Sequence, residues 1–315
     1  MNSLHELVHH AKQQAYTHTI NKQNTLSINN VELSSTLLDS YYVSSHIRDY
    51  IYTKMTHYMS QQFIIYKKHI SVQIYSFKSI PKTYIKQIVA ILYLLIPYSQ
   101  ASCSQELSIQ IYLTPFKKKF PEQETILGPE HINSGISWSC KKNSEVVVFR
   151  EEEWFKVYIH ELFHNLGLDF SQHSINYFKK ELQKIHQIES DFLLYEAYCE
   201  CWATIIQLVY FNRSLSREMN HALCQAKRII QFREIYKENT NVFSYYFIKA
   251  VFLSDIDYFV KWCKKHNHNL FRYKFTQQNN KAFLALYKTL LPEFIDDLRE
   301  VVCKHSKSLR MTYKN

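Results

Sequence analysis

Glycine is nearly missing from this chain: three of 315 residues, at positions 128, 135 and 167. Such scarcity excludes glycine-rich linkers, and no internal repeat or low-complexity tract is present. Long apolar runs are missing too. The longest, Ile88 to Ile96, falls well short of the ~20 residues a membrane-spanning helix needs. The opening MNSLHELVHHAKQQ has no apolar core of the kind a secretory signal carries. The seven cysteines are odd in number and widely spaced, which argues against a disulfide framework and for reduced thiols. These absences together lead us to expect a soluble, cytoplasmic protein with no membrane partner.

The charge balance excludes less. Lys and Arg outnumber Asp and Glu to give a formal +10. The cations are scattered in short runs such as Lys117-Lys118-Lys119 and Lys264-Lys265. No recognisable nucleic-acid motif accompanies them, so a solvated basic surface is the better reading than a nucleic-acid interface. What is abundant is apolar and aromatic: 46% hydrophobic residues, with 24 Tyr and 20 Phe. A chain of this length and composition can bury a core as one large domain or two modest ones.

The pattern along the chain changes twice. A short helix is expected at 3–15 and another at 43–60. Phe63 to Tyr66, Ile70 to Tyr75 and Leu107 to Leu113 are short, β-branched and in part alternating, and read as strands. Between them Pro81 opens an apolar helix that Pro97 stops. Residues 132–137 and Val146 to Phe149 are further strand candidates, and everything from 151 onward reads as helix. Strands first and helices afterwards predict an α+β fold. The domains expected are a polar, mostly helical region 1–60, an α/β lobe 61–170 and a helical lobe 171–315.

The chemistry concentrates in EEEWFKVYIHELFHNL, residues 151–166. Glu151 to Glu153 suit the positive end of a helix dipole, and Gly167 suits a left-handed C-terminal cap. His160 and His164 then fall one turn apart on one face, the spacing at which two imidazoles bind a single Zn²⁺. Glu161 beside them is placed to act as a general base toward water. A third ligand is required. Position 170, where one branch of such enzymes carries histidine, is Phe170, and Asp169 is a poor substitute. Glu196 and Glu200 lie one turn apart in an otherwise apolar helix, costly unless a cation or metal partners them. Glu196 is the preferred ligand and Glu200 the acceptor that orients a histidine ring, with the reverse assignment open. Cys199 and Cys201, at i and i+2, point to different sides of that helix and read as packed thiols.

HELFH followed by Glu-Ala-Tyr-Cys-Glu resembles the gluzincin type of metallopeptidase. More narrowly, IYLTPFKKKFP (111–121), HINSG (131–135), the stretch 146–171, YEAYCECWA (195–203), VFSYYFIK (242–249) and SLRMT (308–312) resemble a family of metallopeptidases of large nucleocytoplasmic DNA viruses. The resemblance covers roughly 105–315. It implies a zincin-like lobe, a small twisted mixed sheet over an active-site helix, followed by a mostly helical C-terminal lobe that supplies the third zinc ligand. It implies Zn²⁺ as cofactor, a peptide or protein as substrate, and the host cytoplasm or the virion as location. An edge strand pairing with substrate is also implied, for which Asn133, Ser134 and Gly135 are the candidates. A tyrosine stabilising the oxyanion is expected among Tyr245 and Tyr246. The alternative is an inactive zincin-fold module that binds a protein partner.

Overall fold

A computed structural model of the chain describes residues 1–17, 26–27, 31, 34–121, 126–231, 238–304 and 306–313. Its fold is α+β, with one six-stranded mixed sheet and helices. It divides into two compact units: residues Met1–Lys117 with Asn133–Leu168, and residues Lys118–Ile132 with Asp169–Asn315. The first contains the whole sheet and the second is helical. Residues 1–60 belong with the sheet, and the boundary near 170 falls between Leu168 and Asp169. Among the described residues no helix is long and apolar enough to cross a membrane.

The sheet unit starts with α1 (Asn2–Thr17), a two-residue strand β1 (Leu26–Ser27), α2 (Ser35–Asp39) and α3 (Ser45–Lys54). Two nine-residue strands follow, β2 (His57–Ile65) and β3 (Lys68–Ser76), paired antiparallel across a turn in which Tyr66 and Lys67 take positive φ. The helix expected over 43–60 therefore ends at Lys54, and residues 57–60 are strand. Met59 and Gln61 join the buried side of the ladder, and strand pairing along all of β3 outweighs an ambiguous local pattern. Then come α4 (Thr83–Leu95), continued by a short 3-10 turn through Pro97, and β4 (Glu106–Tyr112), parallel to β3. After β5 (Gly135–Ser137) comes β6 (Asn143–Val148), parallel to β4 and antiparallel to β5. The strand order β1-β2-β3-β4-β6-β5 leaves β5 at an edge. One side of the sheet carries Tyr75, Tyr112 and Val147 into a core with Val43, Ile47, Ile51 and Phe149. The last element of this unit is α6 (Trp154–Asn165).

The helical unit begins with 118–132, which ends in the one-turn α5 (Pro129–Ile132). It continues with α7 (Asn176–Gln183), α8 (Leu194–Phe211), α9 (Leu215–Gln231), a π-helical turn Ser244–Ile248 running into α10 (Lys249–Ser254), α11 (Ile256–His266) and α12 (Gln277–Glu300). Its interior uses the abundant aromatics: Tyr198, Trp202, Phe259, Phe271 and Phe283 pack ring against ring, with Trp202 and Phe271 4.9 Å apart.

Not all of this unit is helix. Residues 307–313 run as an extended strap. Leu309 N–H donates to Lys118 O, and Phe120 N–H to Lys307 O. The carbonyls of the strap are taken by side chains: Gln225 donates to Ser308 O, Tyr246 to Leu309 O at 2.6 Å and Lys249 to Met311 O at 2.7 Å. Leu309, Met311 and Thr312 are buried under them.

Candidate metal centre

The helix bearing HELFH is fixed at both ends. Before it, Glu151 pairs with Lys78 at 2.7 Å, and its N–H donates to Thr114 O. Glu153, at φ 62°, is the left-handed residue just before the first helical one. The three glutamates thus form the turn that leads into α6, and the helix expected from 151 begins at Trp154. At the other end Gly167 takes φ 64°. Leu168 N–H reaches back to Phe163 O at 2.9 Å and Gly167 N–H to His164 O at 3.1 Å, satisfying carbonyls that the helix end would leave open. A side chain at 167 would be strained in that conformation and would crowd Cys103 Sγ and Gln100 Nε2, each 2.9 Å from where its Cβ would stand.

The last turn is also tied sideways. Asn165, wholly buried, donates to Glu145 O at 3.2 Å and its O accepts from Ser104 Oγ at 2.8 Å. Gln100 N–H donates to Leu166 O, and Cys140 N–H to His164 O at 3.1 Å. A disulfide joins Cys103 to Cys140, and a second joins Cys224 to Cys303. The expectation of reduced thiols throughout is corrected for these four residues. The partners lie 37 and 79 residues apart in sequence, so their spacing carries no pairing signal, and only the fold brings them together. Cys199, Cys201 and Cys263 are free and buried. Burial pushes the Cys201 and Cys263 thiols up, which makes them poor nucleophiles.

Within this frame His160 and His164 turn their rings toward each other. The two Nε2 atoms are 3.1 Å apart and the rings stand at 76°. Both side chains are nearly buried, at 5% and 6% exposure. Two nitrogens each ~2.0–2.1 Å from one tetrahedral zinc ion would be separated by about 3.4 Å, so the observed spacing fits a shared ion closely.

Glu161 is held on β5. Its Oε2 accepts from Ser137 Oγ at 2.7 Å, and its Oε1 lies against Gly135, 2.6 Å from the place a Cβ would occupy. Asn133 and Ser134 sit just before that strand. Asn133 O accepts from Arg150 Nε at 3.0 Å, and Ser134 O accepts from Phe149 N–H at 2.9 Å, which carries the β5–β6 ladder one residue further. By the alternation of antiparallel pairing, Ile136 shares the bonds to β6 while the backbone groups of Gly135 and Ser137 face the outer edge. Ser137 was named in the sequence only as part of a possible edge strand. Its contact with Glu161 follows from the period-2 rule once Gly135 is placed against α6, but nothing local announces it.

In the helical unit, Glu196 occupies the first turn of α8, where a carboxylate suits the dipole, and Glu200 lies one turn on. Both are buried, at 8% and 2% exposure. Asn241 Nδ2 is 3.4 Å from Glu196 Oε1 and 3.4 Å from the Tyr245 hydroxyl. The two tyrosines differ. Tyr246 spends its hydroxyl proton on Leu309 O in the strap, while Tyr245 shares Asn241 with Glu196. Phe170 is buried in an aromatic cluster with Tyr273 and Phe178 and takes no polar role. A cavity of about 720 Å³ in the sheet unit, lined by Gln62, His69, Ser71, Glu106, Ser108 and Asn143 among others, includes none of the candidate site residues.

No family profile, curated protein or solved structure matches the chain.

Proposed function

We propose that the protein is a zinc metallopeptidase of zincin-like architecture, in which His160 and His164 hold the metal and Glu161 is the general base. The single observation that carries this reading is the 3.1 Å approach of the two Nε2 atoms on a helix anchored at both ends. Two imidazoles and one carboxylate are a donor set that suits zinc among the common divalent metals. Glu196 is the third ligand in this reading, supported by its burial and by Asn241, which donates to one carboxylate oxygen and steadies it. Glu200 serves as acceptor for a histidine N–H. When bound, zinc supplies Lewis acidity toward water and toward the scissile carbonyl.

The chain's own residues supply the rest. Glu161 takes a proton from the attacking water at a carboxylate oxygen and returns it to the leaving amine. The outward backbone groups of Gly135 and Ser137 pair with an extended peptide, which fixes its register. Tyr245 donates from its hydroxyl to the developing oxyanion.

Metal content by mass spectrometry, with hydrolysis of a peptide library, tests the proposal. Wild type and Glu161→Gln should each bind about one zinc per chain, and Glu161→Gln should lose roughly 10³-fold in kcat. Glu196→Ala should lose the metal. A wild type that takes up no zinc after reconstitution would overturn the reading and leave a module that binds a protein partner.

A further inference from the structure

The strand that offers its backbone at the sheet edge also grips the base. Gly135 and Ser137 are two apart on β5, so both face α6, while Ile136 between them packs into the core on the other side of the sheet. Val157 and Glu161, one turn apart on α6, meet that face. Gly135 has no room for a side chain: an added Cβ would stand 2.6 Å from Val157 Cγ1 and 2.6 Å from Glu161 Oε1. The absent side chain lets the carboxylate lie flat against the strand. Ser137 then donates to the other carboxylate oxygen at 2.7 Å. One oxygen lies where a side chain at 135 would stand, and the other accepts the Ser137 hydroxyl.

We infer that Ser137 is a positioning residue for Glu161. Its hydroxyl fixes the rotation of the carboxylate about its last bond, a torsion that is otherwise broad and roughly two-fold. Gly135 sets the distance from strand to helix at which that hydrogen bond forms. The inference rests on the proposal that Glu161 is the base. It adds that β5 does two jobs in three residues, aligning a peptide through its backbone and orienting the base through its side chains. A peptide paired to β5 and the carboxylate that serves it are then registered to the same strand, which keeps their separation constant whichever peptide is bound.

The test uses the full-length protein, reconstituted with zinc, as wild type, Ser137→Ala and Ser137→Thr. Crystal structures of wild type and Ser137→Ala supply a readout that does not depend on turnover. In wild type the Glu161 carboxylate should lie on β5 in one orientation. In Ser137→Ala it should turn away from β5 or occupy two orientations, with the backbone of β5 and α6 unmoved. Turnover should show kcat about 10-fold lower in Ser137→Ala, with KM and bound zinc unchanged. Ser137→Thr, which keeps the hydroxyl, should recover most of the loss. An unmoved carboxylate in Ser137→Ala, or a fall of zinc content, thermal stability and kcat together that threonine does not restore, would overturn the inference. Should wild type bind zinc yet cleave no peptide, the peptidase reading fails, and the carboxylate's orientation in the two crystal structures still decides whether Ser137 holds Glu161.

Discussion

The two units hold their candidate site residues by different means. In the sheet unit, α6 is placed largely by backbone: a ladder of paired strands, a capped helix end, and main-chain bonds from Gln100 and Cys140 to its last turn. In the helical unit the corresponding work falls to side chains. Gln225, Tyr246 and Lys249 each grip a carbonyl of the extended strap, and Asn241 stands between Glu196 and Tyr245. Ladder bonds tolerate most side chains, because every residue but proline brings the same donor and acceptor. A strap held by side chains depends on each of them. The sheet unit should therefore yield mainly to changes at residues of special backbone geometry, and the helical unit to changes at single polar side chains.

The disulfides probe this contrast most strongly, one lying in each unit. Constraint of the unfolded chain by loops of 37 and 79 residues is worth about 4 kcal/mol apiece. A dithiol reductant should lower stability in denaturant unfolding by roughly that amount per bond, more for Cys224–Cys303. Peptide mapping under non-reducing conditions should recover both links, and recovery of neither would remove the strongest staple from each unit.

Lys249→Met tests the strap. It deletes a donor from Met311 O in a wholly buried setting, which should cost about 2–3 kcal/mol and free the segment 307–313 to exchange its amide hydrogens. Unchanged amide protection there would mean the strap is held by packing alone. Gly167→Ala is the matching test in the sheet unit. The positive φ and the crowding against Cys103 and Gln100 should cost about 2 kcal/mol in urea unfolding. A neutral result would show that α6 does not need its cap.

The most gradual effect is a pH slope. Burial pushes the Glu238 carboxyl up to about 7, against the hydrogen bonds it accepts from Ser190 Oγ and Phe243 N–H. Its folded pKa lies above its unfolded value, so the folded state holds the proton more tightly. Its contribution is complete below about 4.5 and is lost as pH rises to about 7, at about 1 kcal/mol per pH unit within that window. Glu238→Gln should flatten this part of the stability–pH curve, measured by denaturant titration at a series of pH values.

Much of the sheet unit could be read directly from residues. The alternation in 70–75 and 107–113 marks β3 and β4, and Gly167 marks the end of α6. Residues 57–60 could not be so read, because their Tyr and Met fit either period until β3 is there to pair with. In the helical unit, helices from Leu194 onward follow from apolar spacing, but the strap does not. SLRMT alternates polar and apolar over only five residues, too few to stand out beside the long helical run before it, and its partners at 118, 225, 246 and 249 are scattered through the sequence. At the candidate site, HELFH pointed to His160, Glu161 and His164. The hold of Ser137 on Glu161, and the different tasks of the neighbouring Tyr245 and Tyr246, depend on which way side chains face across tertiary contacts, and no local pattern encodes that.

The strap also sets an order of events during synthesis. The ladder of the sheet unit is complete in the chain once residue 168 has been made, so that unit can fold vectorially on the ribosome. The helical unit lacks its last piece until residue 313 emerges, roughly 10–30 s later at ordinary elongation rates. Through that interval Tyr246 and Lys249 are already made while the backbone they grip is not. The nascent chain then carries a complete sheet unit together with buried-side donors whose acceptors are not yet made, the stage at which a chaperone would find a binding surface.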